Sequence, residues 1–234
     1  MKNLLLQLWQ KKCFDINKSD RFEEIIGHND IKKILNNAIH SKKPVHVLLV
    51  GPPASAKTMF LLHISRFFKE SIFVVGSNTT KAGLLNCLFE ARPKFLLVDE
   101  LEKMNSQDQL SLLHLMETGI ISETKVNKTR QTRLTSWVFA NANSCEKITQ
   151  PLLSRFVVLH IQEYSFEEFK EIVIVRLKKD NVDEITAVRI AEEVWYELKS
   201  KDVRDAVKIG RLIRRPEELQ EIINILKVNR KNSP

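Results

Sequence analysis

The sequence predicts an α/β protein: a parallel five-stranded sheet flanked by helices, followed by a small all-helical domain. Two observations carry this. Five short apolar, partly β-branched runs recur, VHVLLV (45–50), SIFVV (71–75), KFLLVD (94–99), TSWVFA (135–140) and FVVLHI (156–161). Runs so nearly continuous are what strands buried on both faces require. Helical patterns separate them, and beyond about residue 163 only helical patterns remain. Alternating strand and helix favours a parallel sheet covered on both faces.

Each element follows in order. The start, MKNLLLQLWQKKCFD, has a short apolar patch without a small-residue cleavage site, so residues 1–20 read as an amphipathic segment rather than a signal peptide. An αβ domain is expected over 21–163. TMFLLHISRFF follows the first strand, GLLNCLFEA the second and QDQLSLLHLM the third, each with apolar residues at helical spacing. A helical domain is expected over 164–229. Ser165 and Glu168 suit a capping box at its start, and Pro216 suits the first turn of its last helix. Residues 230–234 read as a frayed tail. No apolar stretch approaches the roughly 18–20 residues of a membrane span, so no membrane partner is expected.

Charge and cysteine usage set weaker bounds. The net charge of +8, from 37 basic and 29 acidic residues, suits phosphate-rich or acidic partners as well as an ordinary solvated surface. Cys13, Cys87 and Cys145 are far apart and without C-x-x-C spacing, as in a reduced, cytoplasmic protein. The histidines show no H-x-x-x-H spacing, so no metal is expected beyond one held with a nucleotide.

The chemistry starts at GPPASAKT, residues 51–58, between the first strand and a helix. This is the context of a phosphate-binding loop, with Ala56 where the second glycine usually stands. Backbone N–H groups of Gly51, Pro52, Pro53, Ala54, Ser55 and Ala56, prolines excepted, would cradle phosphates at a helix N-terminus. Lys57 would reach the outer phosphates, and the Thr58 hydroxyl would hold Mg²⁺. The third apolar run ends in Asp99-Glu100. On a neighbouring strand, Asp99 would sit by the metal and Glu100 would polarise the attacking water. After the fourth run, Asn143 could hydrogen-bond that water or the γ-phosphate, with Asn141 as the alternative. Arg155 opens the fifth run and could stabilise charge on a nucleotide bound by an adjacent subunit.

Together these residues resemble an AAA+ ATPase. GPPASAKT matches Walker A, FLLVDE Walker B, Asn143 sensor 1, LLSRF the arginine-finger motif and DVRDAVKIGRL the sensor-2 helix. The resemblance makes Arg204 the sensor-2 arginine and places Ile25, Ile26 and Gly27 against adenine. Within the superfamily, Ala56-Lys57, VDELEKM, LLHLMETGIISETK and QPLLSRF look most like the minichromosome-maintenance, RuvB-like and MoxR-like group. The resemblance implies ATP and Mg²⁺ as cofactors and a homo-oligomer, expected as a hexameric ring.

A substrate contact is expected on GIISETKVNKTRQTRLTS, which reads as a β-hairpin and where the resemblance implies a channel-facing hairpin before sensor 1. Lys125, Lys128, Arg130 and Arg133 make it basic, suited to tracking a phosphodiester backbone. The loop GSNTTKAG has no aromatic residue with which to grip a polypeptide, which favours DNA over threaded protein. Ten residues separate Gly83 from Lys94, too few for the helix-2 insertion of replicative helicases, and about twenty residues precede the core. A helicase or branch-migration type of ATPase, outside the replicative helicases proper, is therefore the first expectation. The alternatives are a MoxR-like ATPase remodelling a protein complex through a protein adaptor, and a nucleotide-dependent regulatory subunit.

Overall fold

A computed structural model describes residues 20–125 and 128–231. Most of the expected N-terminal segment and the last three residues of the tail lie outside these described residues. The chain divides into two units. One holds the residues up to Gly51 together with Ala56–Ile161; the other holds Gln162 onward together with Pro52–Ser55.

The first unit contains the sheet. Its elements are α1 (Asn29–Ile39), β1 (His46–Val50), α2 (Lys57–Phe67), β2 (Ser71–Val75), α3 (Lys81–Ala91), β3 (Phe95–Asp99) and α4 (Ser106–Thr118). The hairpin β4 (Ile120–Lys125) and β5 (Lys128–Arg133) follows, then β6 (Trp137–Ala142), α5 (Gln150–Leu153) and β7 (Phe156–His160). The five strands lie in the order β2-β3-β6-β1-β7, all parallel. Alternate residues feed two cores. Leu48, Val50, Leu96, Val98, Val138 and Ala140 pack on one face with Leu84, Leu88, Leu112 and Leu115. Val47, Leu49, Phe95, Leu97, Trp137 and Phe139 pack on the other with Leu35, Phe60, Leu61 and Ile64. Burial on both faces is why the strands read as continuous apolar runs rather than alternating ones.

The strand order positions the site. Strands β2, β3 and β6 lie to one side of β1 and β7 to the other, so connections diverge at the carboxyl end of β1. Ligands of open α/β sheets bind in the crevice that such a divergence opens. Gly51 stands there for lack of room rather than for its dihedral freedom: a Cβ would lie 2.3 Å from the Ile161 carbonyl oxygen.

The second unit is helical: α6 (Phe166–Lys178), α7 (Glu184–Glu192) continuing into a π-helical turn (Glu193–Glu197), α8 (Val203–Leu212) and α9 (Leu219–Lys231). The expected capping box closes at both ends, with the Ser165 hydroxyl accepting from the Glu168 N–H and the Glu168 carboxylate accepting from the Ser165 N–H. Asp183 and Asp202 cap α7 and α8. Pro216 opens a 3₁₀ turn that leads into α9. The boundary after Ile161 falls two residues before the expected one, and α9 runs two residues into the expected tail. Among the described residues, no helix is long and apolar enough to cross a membrane.

Candidate nucleotide site

In the loop after β1, Ala54 and Ala56 are both left-handed, at φ 64° and 65°. Ala56 is the residue before the first turn of α2, so the N–H groups that open this helix follow directly on the loop. The Ser55 hydroxyl donates to the Pro52 carbonyl at 2.8 Å, and the Lys57 ammonium donates back to the Gly51 carbonyl at 2.8 Å. Burial lowers the Lys57 ammonium below the usual lysine value, while the Glu102 and Asp99 carboxylates act in the opposite direction.

Two adjacent strands, β3 and β6, meet Thr58. The Thr58 hydroxyl donates to Asp99 at the end of β3, at 3.1 and 3.3 Å to its two oxygens. From β6, the buried Asn141 donates an amide N–H to the Thr58 oxygen at 3.4 Å and accepts from the Glu100 backbone N–H at 2.9 Å. That second bond holds Glu100 in a left-handed conformation, φ 55° and ψ 51°. A non-glycine residue so held is a form of backbone strain that concentrates at functional positions. Gly76 completes the corner, because a Cβ there would lie 2.2 Å from the Glu100 carbonyl oxygen.

Asn143, the first expectation for sensor 1, is exposed directly after the end of β6. Its backbone N–H and its side-chain amide both donate to Glu102 Oε1, at 3.1 and 2.8 Å. The two asparagines thus divide the work: Asn141 binds Thr58 and Glu100, Asn143 binds Glu102. Sequence reasoning did not single out Glu102, and its one signal was a third acidic residue within VDELE.

The hydroxyl of Thr58 and the carboxylate of Asp99 form the all-oxygen donor set that Mg²⁺ prefers, and the loop supplies backbone donors for phosphate, so these residues fit the group expected. Of the three residues expected against adenine, Ile25 is fully buried in the core with Phe22 and Phe60, whereas Ile26 and Gly27 keep exposed surface.

Arg155 lies elsewhere. It precedes β7, which runs parallel to β1 with Phe156 opposite His46, so it stands at the amino end of the sheet while Gly51 stands at the carboxyl end. Five strand residues separate these ends by about 16 Å. Arg155 instead forms an ion pair with Glu117 at the end of α4. In the helical unit, Arg204 is held by Asp202 through its guanidinium at 2.7–3.0 Å and is largely exposed.

The basic hairpin forms, with Ile120 opposite Arg133 and Lys125 opposite Lys128. Residues 126 and 127 lie outside the described residues, as do the side chains of Lys125 and Lys128. Arg130 is engaged within the chain: it pairs with Glu123 at 2.7 Å, bonds Asn86 on α3, and stacks 4.3 Å above the Phe89 ring. Arg92, just after α3, donates to the Thr132 hydroxyl at 2.6 Å. Arg133 is exposed.

Comparisons with known proteins agree with this architecture. The MCM P-loop domain matches residues 20–95. The chain is 28% identical over 178 residues to the DNA replication licensing factor mcm2 of Schizosaccharomyces pombe, covering 58% of this chain and 21% of that protein. Against mcm2 of Xenopus laevis it is 26% identical over 209 residues, covering 76% and 24%. The chain therefore spans about a fifth to a quarter of the curated relatives it matches. Among solved structures, the RuvB Holliday junction branch migration motor of Thermotoga maritima superposes with a TM-score of 0.68 at 20% identity, covering 87% of this chain and 71% of that one.

The chain has an AAA+ fold like that of RuvB, in its five-stranded parallel sheet and its helical second unit. The segment similar to the MCM P-loop domain contains the loop 51–58 and ends at the first residue of β3.

Proposed function

We propose that this AAA+ module binds and hydrolyses ATP with Mg²⁺ and couples hydrolysis to work on DNA, as a helicase or branch-migration type of motor. The observation that carries the reading is the junction of Thr58, in the first turn of α2 directly after the loop, with Asp99 and Glu100 at the end of β3 and Asn141 on β6. In this reading the loop residues and Lys57 bind the phosphates, and Thr58 and Asp99 hold the cation, which neutralises phosphate charge when bound. Ile26 and Gly27 bound the adenine. Glu100, fixed by Asn141, takes the proton of the attacking water, and Asn143 orients that water. Arg204 is assigned to the γ-phosphate.

The position of Arg155 supports a homo-oligomeric ring, proposed as a hexamer. At the opposite end of the sheet from its own loop, it is out of reach of its own nucleotide, the position that a finger given to a neighbour requires. The DNA assignment is supported by the basic hairpin and by what the relatives are named for, replication licensing and branch migration. The unclustered cysteines, of which Cys87 and Cys145 are free, fit a cytoplasmic setting.

The test is steady-state ATPase of the chain alone and with single-stranded, duplex and four-way-junction DNA. Glu100→Gln should retain ATP binding and lose turnover by about 100-fold or more. Wild-type turnover should rise several-fold with at least one DNA form. Full turnover in the Glu100→Gln variant would overturn the hydrolytic assignment. A rate indifferent to all three DNAs would move the substrate from nucleic acid to protein.

A further inference from the structure

The Glu102 carboxylate is buried, at 7% relative exposure, on the 3₁₀ turn Leu101–Lys103 that follows Glu100. One of its oxygens, Oε1, receives both the backbone N–H and the side-chain amide of Asn143. The other, Oε2, is buried without a hydrogen-bond partner among the described residues. Burying a carboxylate is costly, and the nearby Lys57 ammonium offsets part of that cost. The carboxylate also has a geometric effect. Its oxygens only accept, so the Asn143 amide must turn its nitrogen toward Glu102. The amide oxygen and the second N–H are then left for another partner. Two donors from one residue on one oxygen fix both the backbone and the χ angles of an otherwise exposed asparagine.

We infer that Glu102 is a positioning residue for hydrolysis: it locks the Asn143 amide in the orientation that presents its carbonyl oxygen to the attacking water. The inference rests on the ATPase reading above. Asn141 is engaged differently: its amide oxygen accepts from the Glu100 N–H and its amide N–H donates to Thr58.

The experiment compares Glu102→Ala, Glu102→Gln, Asn143→Ala and the Glu102→Ala/Asn143→Ala pair in the full chain. It reads kcat and KM for ATP, the Kd of a fluorescent ATP analogue, and the side-chain amide resonances of Asn143. Asn143→Ala should lower kcat by about 100-fold, the scale of one lost polar contact at a reacting centre. Glu102→Ala should lower kcat by roughly tenfold or more while the analogue's Kd stays within about threefold. The double variant should be no slower than Asn143→Ala, since two residues acting through one contact are not additive. Glu102→Gln, which keeps an acceptor oxygen, should recover most of the lost rate. Additive losses, a loss confined to nucleotide affinity, or a Glu102→Gln variant as slow as Glu102→Ala would overturn the inference. If the wild-type chain does not hydrolyse ATP, the ATPase reading fails by itself and the amide resonances decide. A bonded Asn143 amide proton present in wild type and Glu102→Gln and lost in Glu102→Ala supports the lock; one unchanged in all three refutes it.

Discussion

Ala56 sits where a phosphate loop usually has glycine, and its backbone adopts the left-handed region that glycine enters freely, φ 65°. An alanine held there loses about 1 kcal/mol to steric crowding. At a positive φ this crowding outweighs the entropy that alanine removes from the unfolded chain. Ala56→Gly should therefore raise the unfolding free energy by about 0.5–1 kcal/mol, by urea titration, and leave nucleotide binding intact. A loss above about 1 kcal/mol, or of binding, would mean that the Ala56 methyl makes a contact the loop depends on. Glu100 is left-handed too, at φ 55°, with the Asn141 amide as its restraint, and the proposed function needs its carboxylate.

At the scale of elements, two arginines clamp the hairpin β4–β5 to helix α3. Arg130 reaches from β5 to Glu123, Asn86 and the Phe89 ring, and Arg92 reaches from the end of α3 to Thr132. Arg130 is thus a structural cation within a basic hairpin, while Arg133 remains exposed. Arg130→Ala should cost about 1–3 kcal/mol, the range of a half-buried charged hydrogen bond with a cation–π contact. It should speed amide hydrogen exchange across residues 120–133. Neutralising Lys125 and Lys128 together should leave both stability and exchange unchanged while reducing stimulation by DNA. Equal stability loss from both sets would mean that the clamp is not specific to Arg130.

At the scale of the molecule, parallel strands put the loop and Arg155 at opposite ends of one sheet, so a single subunit cannot bring them together. Complementation follows from that geometry. A Lys57→Ala subunit lacks a working loop but keeps Arg155, and an Arg155→Ala subunit has the reverse defect. Each variant alone should lose ATPase by about 100-fold or more, given the usual worth of an arginine finger. Mixing them should restore a rate well above the sum of the two, and the gain should vanish on dilution as subunits separate. No recovery at any ratio would place Arg155 outside the hydrolytic machinery, with its Glu117 ion pair as its whole role.

The sequence by itself determined which segments are strands, the helical character of the C-terminal part, the capping box at Ser165, and the loop that ends in Lys57 and Thr58. These are readable because periodicity, capping and turn chemistry relate residues only a few positions apart. The tertiary structure alone decided which asparagine meets Thr58, that Ile25 belongs to the core, that Arg130 faces its own chain, and that Glu102 grips Asn143. Each of those contacts depends on strand order or on packing between elements. Asn141 and Glu100 are neighbours only because β6 lies beside β3, 41 residues away in sequence, and no local pattern encodes that adjacency.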